Sequence, residues 1–132
     1  MTRINCVPPE ELTDRHLVAE YYELPRVFTL VKRAMMNGKE PSDYQQFDKY
    51  TTGNGHVKFF YTRLKYCAER QIELIEEMKR RNMRPTYGQI EGLLSNIPQE
   101  WFGPWEPTSE ALKINRERLQ LRLKGTKAEI GE

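Results

Sequence analysis

The chain has 132 residues, of which 30% are charged and 38% hydrophobic, and a formal net charge of +2. That length suits a single domain with a modest core and is too short for two ordinary ones. No apolar run approaches the roughly 18 residues of a membrane span, and Met1-Thr2-Arg3-Ile4-Asn5 lacks the apolar stretch of a signal peptide, so neither a bilayer-crossing nor a signal-led protein is expected.

Residues 1–12 read as an N-terminal arm, because Pro8-Pro9 blocks helix and favours extended chain, with a short turn at Glu10-Glu11-Leu12. Thr13 is a suitable N-cap and Asp14 suits the first turn, so a helix is expected over about 14–37, ended by Gly38 at C′. Leu17, Tyr21, Leu24, Phe28, Val31 and Met35 recur at helical spacing and form its apolar face. His16, Glu20, Glu23 and Arg26 form a polar stripe beside that face, and Pro25 must kink the helix. A carboxylate beside a kink, flanked by a His and an Arg, suits a site. Charge stripes are more often solvated surface, and from this stretch alone that is the favoured reading.

Residues 39–54 read as a long polar loop closed by Gly53-Asn54-Gly55. A second helix is expected over about 55–82, carrying Val57, Phe60, Tyr61, Leu64, Cys67, Ala68, Gln71, Ile75 and Met78 on its buried side. Lys79, Arg80 and Arg81 complement the negative end of its dipole. The Pro- and Gly-rich stretch 84–107 forbids a long helix but allows a short one over 87–94. Trp101, Phe102 and Trp105 are expected to pin it to the core, an exposed ring stacking on a base being the sharper alternative. Thr108 or Ser109 caps a third helix to about Lys124, and residues 125–132 are expected to fray. The fold class is therefore all-α, one compact domain of three main helices with long ordered loops.

Cys6 and Cys67 lie in apolar surroundings and are expected to be reduced core thiols. No metal-ligand spacing, phosphate-cradling glycine loop or nucleophile motif is present. His56, at the start of the second helix, suits a capping or buried hydrogen-bonding role. Positive charge is concentrated on two segments. Residues 56–84 hold eight Lys or Arg against four Glu, and residues 108–132 return to a net +2 after an acidic 85–107. Such a distribution suits a polyanion-facing surface, although many helical proteins share it. One nucleophile remains, the chain's own amine. Removal of Met1 exposes the α-amine of Thr2, and with an ordinary pKa near 7.7–8.0 roughly a tenth of it is neutral at pH 7. The neighbouring Arg3 lowers that pKa further. Nearly every cytosolic chain has such an amine, so alone it is weak evidence.

The wider pattern is specific. Met1-Thr2-Arg3-Ile4-Asn5, Ala19-Glu20-Tyr21, Glu23-Leu24-Pro25-Arg26-Val27-Phe28, Gly55-His56-Val57 with Phe59-Phe60-Tyr61 and Leu64, Arg70-Gln71-Ile72-Glu73-Leu74-Ile75, and Ile97-Pro98-Gln99-Glu100 occur in this order. The set resembles the pyrimidine-dimer DNA glycosylases, the phage endonuclease V family, over about the first hundred residues. The resemblance implies an all-α DNA-repair enzyme that uses no cofactor or metal, acting as a monomer on damaged double-stranded DNA in a bacterial or phage-infected cytoplasm. It implies that the Thr2 amine attacks the sugar C1′ and forms an imine, with Glu23 stabilising the cationic sugar and acting as base for β-elimination. It further implies phosphate clamping by Arg3, His16 and Arg26, with Arg118 and Arg122 in the family's looser basic C-terminal region. Tyr22 stands where the type member has Arg, and the family's Trp- and Tyr-rich C-terminal segment is lacking. Lyase chemistry is thus the better supported part. The alternatives are a weakened or lyase-only relative that binds damaged DNA and, on composition alone, a helical protein-interaction domain.

Overall fold

The computed structural model describes residues 2–86 and 91–129, with side chains described for 2–86 and 92–121. Among these residues the regular structure is helical, with no strand and one isolated bridge between Arg63 and Phe102. The all-α expectation holds. The helices are α1 (Asp14–Glu23), α2 (Arg26–Met36), α3 (His56–Phe59), α4 (Leu64–Arg80), α5 (Glu91–Leu94) and α6 (Ser109–Glu129), with 3-10 turns at Pro9–Glu11, Pro41–Tyr44 and Gln99–Trp101.

The expected first helix is two helices, because Pro25 breaks the ladder rather than bending it. Leu24 N–H still reaches Glu20 O at 2.8 Å, but Pro25 has no N–H to give to Tyr21 O. Gln71 of α4 supplies the missing donor, its Nε2 lying 3.0 Å from that carbonyl. This explains a polar residue at a core position: Gln71 is fully buried. Leu17, Tyr21, Leu24, Phe28 and Val31 are all at 0% exposure, as their spacing predicts, while Met35 packs only at the edge. Thr13 Oγ1 accepts His16 N–H at the start of α1, and Gly38 follows α2 at φ +78°, as expected of C′.

The expected second helix is also divided. Arg63 adopts φ −127°, ψ 41° and separates α3 from α4. The break is held from outside: Gly103 N–H donates to Thr62 O at 3.1 Å, and Arg63 Nη1 donates to Phe59 O at 2.6 Å, where the next helical N–H would have bonded. A Cβ at Gly103 would run into the Thr62 carbonyl oxygen, so this approach requires glycine. Arg63 also lies over the Phe59 ring at 3.9 Å.

Trp101 is buried, and Trp105 stacks on Tyr50 at 5.8 Å and meets Phe59, Phe60 and Tyr66 edge-on. These rings pin 98–105 and the 39–55 loop together: Trp101 is core, and Phe102 and Trp105, half-buried, pack against it. Of the short helix expected over 87–94, 91–94 is present and 87–90 lies outside the described residues. Thr108 Oγ1 caps α6 by accepting Ala111 N–H at 3.0 Å. The helix continues to Glu129, past the expected end at Lys124, because Gly125 weakens a helix by only about 1 kcal/mol relative to Ala and no proline follows it. Residues 130–132 of the expected frayed tail lie outside the described residues. Both cysteines are buried free thiols, and burial pushes the Cys6 thiol up to about 12.

The arm is the unusual element. Residues 2–8 are outside any helix and thread through the helical core, with no strand among the described residues to satisfy their backbone. Side chains do so instead. Ile4 N–H donates to His56 Nε2 at 2.9 Å, and Ile4 O accepts Tyr50 Oη–H at 3.1 Å. Asn5 O accepts from Tyr66 Oη, and Val7 O from Arg70 Nη1. Asn115 Oδ1 of α6 accepts both Cys6 and Val7 N–H, at 2.7 and 3.0 Å. The arm is thereby clamped by the loop before α3, by α3, by α4 and by α6.

Candidate active site

Glu20 and Glu23 stand on one side of α1, three residues apart and facing the arm. Glu20 is 2% exposed. Its carboxylate takes Arg70 Nε and Nη2 at 2.9 and 3.0 Å and Asn5 Nδ2 at 2.8 Å. Asn115 Nδ2 donates in turn to Asn5 Oδ1 at 2.7 Å. Burial alone would push Arg70 toward neutrality, but the adjacent Glu20 outweighs it and keeps the guanidinium charged. Glu20, one of the four residues of the polar stripe, is thus half of an interior ion pair, which neither of the sequence readings anticipated.

Glu23 is half-buried, and its Oε1 accepts the Arg3 backbone N–H at 2.9 Å. Between that nitrogen and the nitrogen of Thr2 lie only the Thr2 Cα and carbonyl carbon. Thr2 itself is 8% exposed. Met1, on which the state of the Thr2 nitrogen depends, lies outside the described residues.

Two hollows flank this junction. The first is lined by Arg3, Asn5, Arg15, His16, Glu20 and Glu23, together with Arg118 of α6. Its basic groups ring the single carboxylate that Arg70 does not occupy. A mouth of that kind attracts phosphates while keeping one base inside. The second hollow contains Thr2, the Gly53–Lys58 segment and Tyr61, and Arg118 lines this one too. Arg118 therefore stands where the two hollows meet.

His56 lines the second hollow and is 6% exposed. Its Nε2 accepts from Ile4 N–H, and a backbone N–H can only donate, so Nδ1 carries the ring proton and gives it to Thr51 O at 2.6 Å. Burial holds the ring's pKa below its ordinary value, chiefly by penalising the cation, and the nearby Arg3 acts in the same direction.

The family model described as pyrimidine dimer DNA glycosylase matches residues 1–90 of this chain. The chain belongs to that family. Its members act on DNA in repair, and every block that carried the resemblance up to Ile75 falls inside the matched stretch.

Of the residues singled out from sequence, Arg3, His16, Glu23 and Arg118 line one hollow, and Thr2 lines the adjoining one. Tyr22 and Arg26 line neither. Tyr22 is 46% exposed with its ring edge-on to Tyr21 at 4.9 Å, and Arg26 opens α2 on the exposed side of the break. The Arg122 side chain lies outside the described residues. Sequence reading missed Asn5, Arg15, Arg70 and Asn115 as parts of this region. A signal existed for one of them, Arg70. Gln71 and its neighbour Arg70 sit on the buried side of α4, and a polar residue there requires a buried partner. Among the described residues no cluster of His, Cys, Asp or Glu is suited to a metal ion, and no helix is long and apolar enough to cross a membrane.

Proposed function

We propose that this chain is a bifunctional pyrimidine-dimer glycosylase and abasic-site lyase, working as one domain and a monomer on ultraviolet-damaged double-stranded DNA. The Thr2 α-amine, freed by loss of Met1, attacks the sugar C1′ while the glycosidic bond to the damaged base breaks. The C1′–O4′ bond of the sugar ring then opens, O4′ taking a proton, and leaves an imine; at an abasic site the amine condenses with the C1′ aldehyde and water is lost. Glu23 steadies the positive charge on the sugar and removes the C2′ proton. The electron pair of that C–H bond becomes the C2′=C3′ double bond, conjugated with the imine, as the C3′–O bond breaks and the phosphate leaves, nicking the strand. Arg3, His16, Arg26, Arg118 and Arg122 hold the phosphates.

One observation carries this reading: the Glu23 carboxylate bonds the peptide nitrogen next to Thr2, at 2.9 Å. A carboxylate so close to a terminal amine is well placed to take protons from the reacting centre. Its basic surroundings, with Arg3, His16 and Arg118 about the same hollow, suit a substrate that brings phosphates.

The test is borohydride reduction of the processed chain with duplex containing one pyrimidine dimer or one abasic site. A covalent adduct on both, through the residue-2 amine by peptide mass, is the expected result. Absence of any adduct overturns the mechanism. An adduct on the abasic duplex alone favours the lyase-only reading, which Tyr22 in place of a phosphate-clamping Arg motivates.

A further inference from the structure

We propose that His56 is a positioning residue for the amine: its neutral ring holds the arm at Ile4, so that Thr2 stays beside Glu23, and protonation of that ring loosens the arm's outer end. The proposal rests on the amine reading above.

The geometry allows only one protonation state of the ring to do this. Neutral His56 offers Ile4 N–H a lone pair at 2.9 Å and uses its one proton on Thr51 O at 2.6 Å. A ring protonated on both nitrogens would turn an N–H toward the Ile4 N–H, and the two donors repel. Ile4 is held on its other side by the Tyr50 hydroxyl, and the Tyr50 ring lies edge-on to the imidazole at 5.4 Å. Phe60 closes another side at 5.7 Å. The ring therefore sits in a tight aromatic cage, and tilting it to keep the bond is opposed by packing.

The consequence is local. Beyond Ile4 the arm is held by Tyr66, Arg70 and Asn115, none of which bonds His56. Loss of the His56 bond loosens the outer end, residues 2–4, which keeps the Arg3–Glu23 and Tyr50–Ile4 bonds, and leaves the rest of the fold clamped. That outer end is the piece whose position decides whether an amine at Thr2 reaches its target.

The charged and titratable groups about the ring are Arg3 on the arm, Glu20 on α1, Tyr50 in the preceding loop, Lys58 on its own helix and Arg118 across the hollow. The Nδ1–H bond to Thr51 O favours the cation, Arg3 opposes it and Glu20 favours it, but Glu20 is already bonded to Arg70. Burial decides, so the folded pKa lies below the unfolded value of about 6.5. The sign follows: the bond is fully present above about pH 6.5 and is lost as pH falls through the lowered folded value.

Amide exchange at Ile4 reads the arm with no substrate present. Protection factors are measured by NMR on the processed chain, from about pH 7.5 to about pH 5, across the range in which a histidine titrates. In the wild-type chain Ile4 protection is expected to fall toward the acid end while that of Leu74 in α4 does not. In His56→Gln it is expected to be flat, because an amide oxygen accepts Ile4 N–H and cannot be protonated. In His56→Leu trapping on abasic duplex is expected to slow by about tenfold or more with duplex Kd within about twofold, as for a misplaced reactive group, and His56→Gln is expected to recover most of that rate.

Ile4 protection independent of pH in the wild-type chain overturns the proposal. So does a His56→Leu chain that traps at the wild-type rate. If His56→Leu does not fold, the comparison of wild type with His56→Gln still decides. If the amine reading alone is wrong, no adduct forms at any pH while Ile4 protection still follows His56.

Discussion

Glu20 and Glu23 occupy one side of one helix, yet the arm divides them into opposite kinds of carboxylate. Glu20 faces the inner arm, where Asn5, Arg70 and Asn115 complete a buried polar network beneath the hollow. Glu23 faces the outer arm, where it takes the Arg3 N–H and borders a hollow open to solvent. The comparison teaches that the two ends of the arm do different work. The inner end is immobilised by buried charge-assisted bonds, whose loss exposes an uncompensated ion. The outer end is positioned by three backbone bonds, Arg3 to Glu23 and Ile4 to His56 and to Tyr50, and presents Thr2, on which the proposed chemistry depends. A rigid inner clamp lets a short outer segment be both precise and reachable.

Exchanging the two carboxylates for amides separates these roles most sharply. In Glu23→Gln, single-turnover nicking of abasic duplex is expected to fall by about 10²–10⁴-fold, the usual worth of a positioned acid–base group. Its unfolding free energy is expected to stay within about 0.5 kcal/mol of wild type. Nicking at the wild-type rate removes Glu23 from the mechanism.

Glu20→Gln should behave in the reverse way. Removing one partner of a buried ion pair is expected to lower the unfolding free energy by about 3–5 kcal/mol in urea titrations. The double variant Glu20→Gln with Arg70→Met should lose less than the two single losses combined, since neither charge is then stranded. A Glu20→Gln chain as stable as wild type would show that the inner clamp does not depend on this pair.

A smaller effect is expected at the helix break. Gln71→Leu strands Tyr21 O, with an expected loss of about 1–3 kcal/mol. The lower part of that range is favoured, because the Gln71 Oε1 removed with it is buried and has no partner among the described residues. A neutral or stabilising result would mean that the carbonyl freed by Pro25 finds another donor.

The smallest effect is expected on the exposed flank. Tyr22→Arg should leave stability within about 0.5 kcal/mol. If Arg at this position reaches a phosphate, the slope of log affinity against log salt should steepen by about 0.9. An unchanged slope would place position 22 outside the DNA footprint, in keeping with its absence from both hollows.

Much of this was legible from residue patterns, for identifiable reasons. Leu17 to Val31 repeat at helical spacing, and all five apolar positions are fully buried. Thr13, Gly38 and Thr108 serve as the caps that their chemistry suggests. The helix breaks were less legible. Pro25 announced a disturbance, but whether the chain bends or breaks depended on a donor arriving from Gln71. Nothing local announced the break at Arg63, because the Gly103 N–H that takes Thr62 O comes from a distant loop. The stripe of α1 was ambiguous for the same reason: Glu20 and Glu23 carry the same charge, and only their partners differ.

The sequence by itself determined the all-α class, the apolar faces and caps, the non-helical arm and, through its ordered blocks, the family to which the chain belongs. Those properties follow from local preference and from spacing along one strand of covalent chain. Tertiary structure alone decided which carboxylate is sealed in and which stays open, and which ring nitrogen receives the arm. Such choices depend on groups brought together from Arg3 to Arg118, and burial then sets their charge state by deciding what desolvation leaves unpaired.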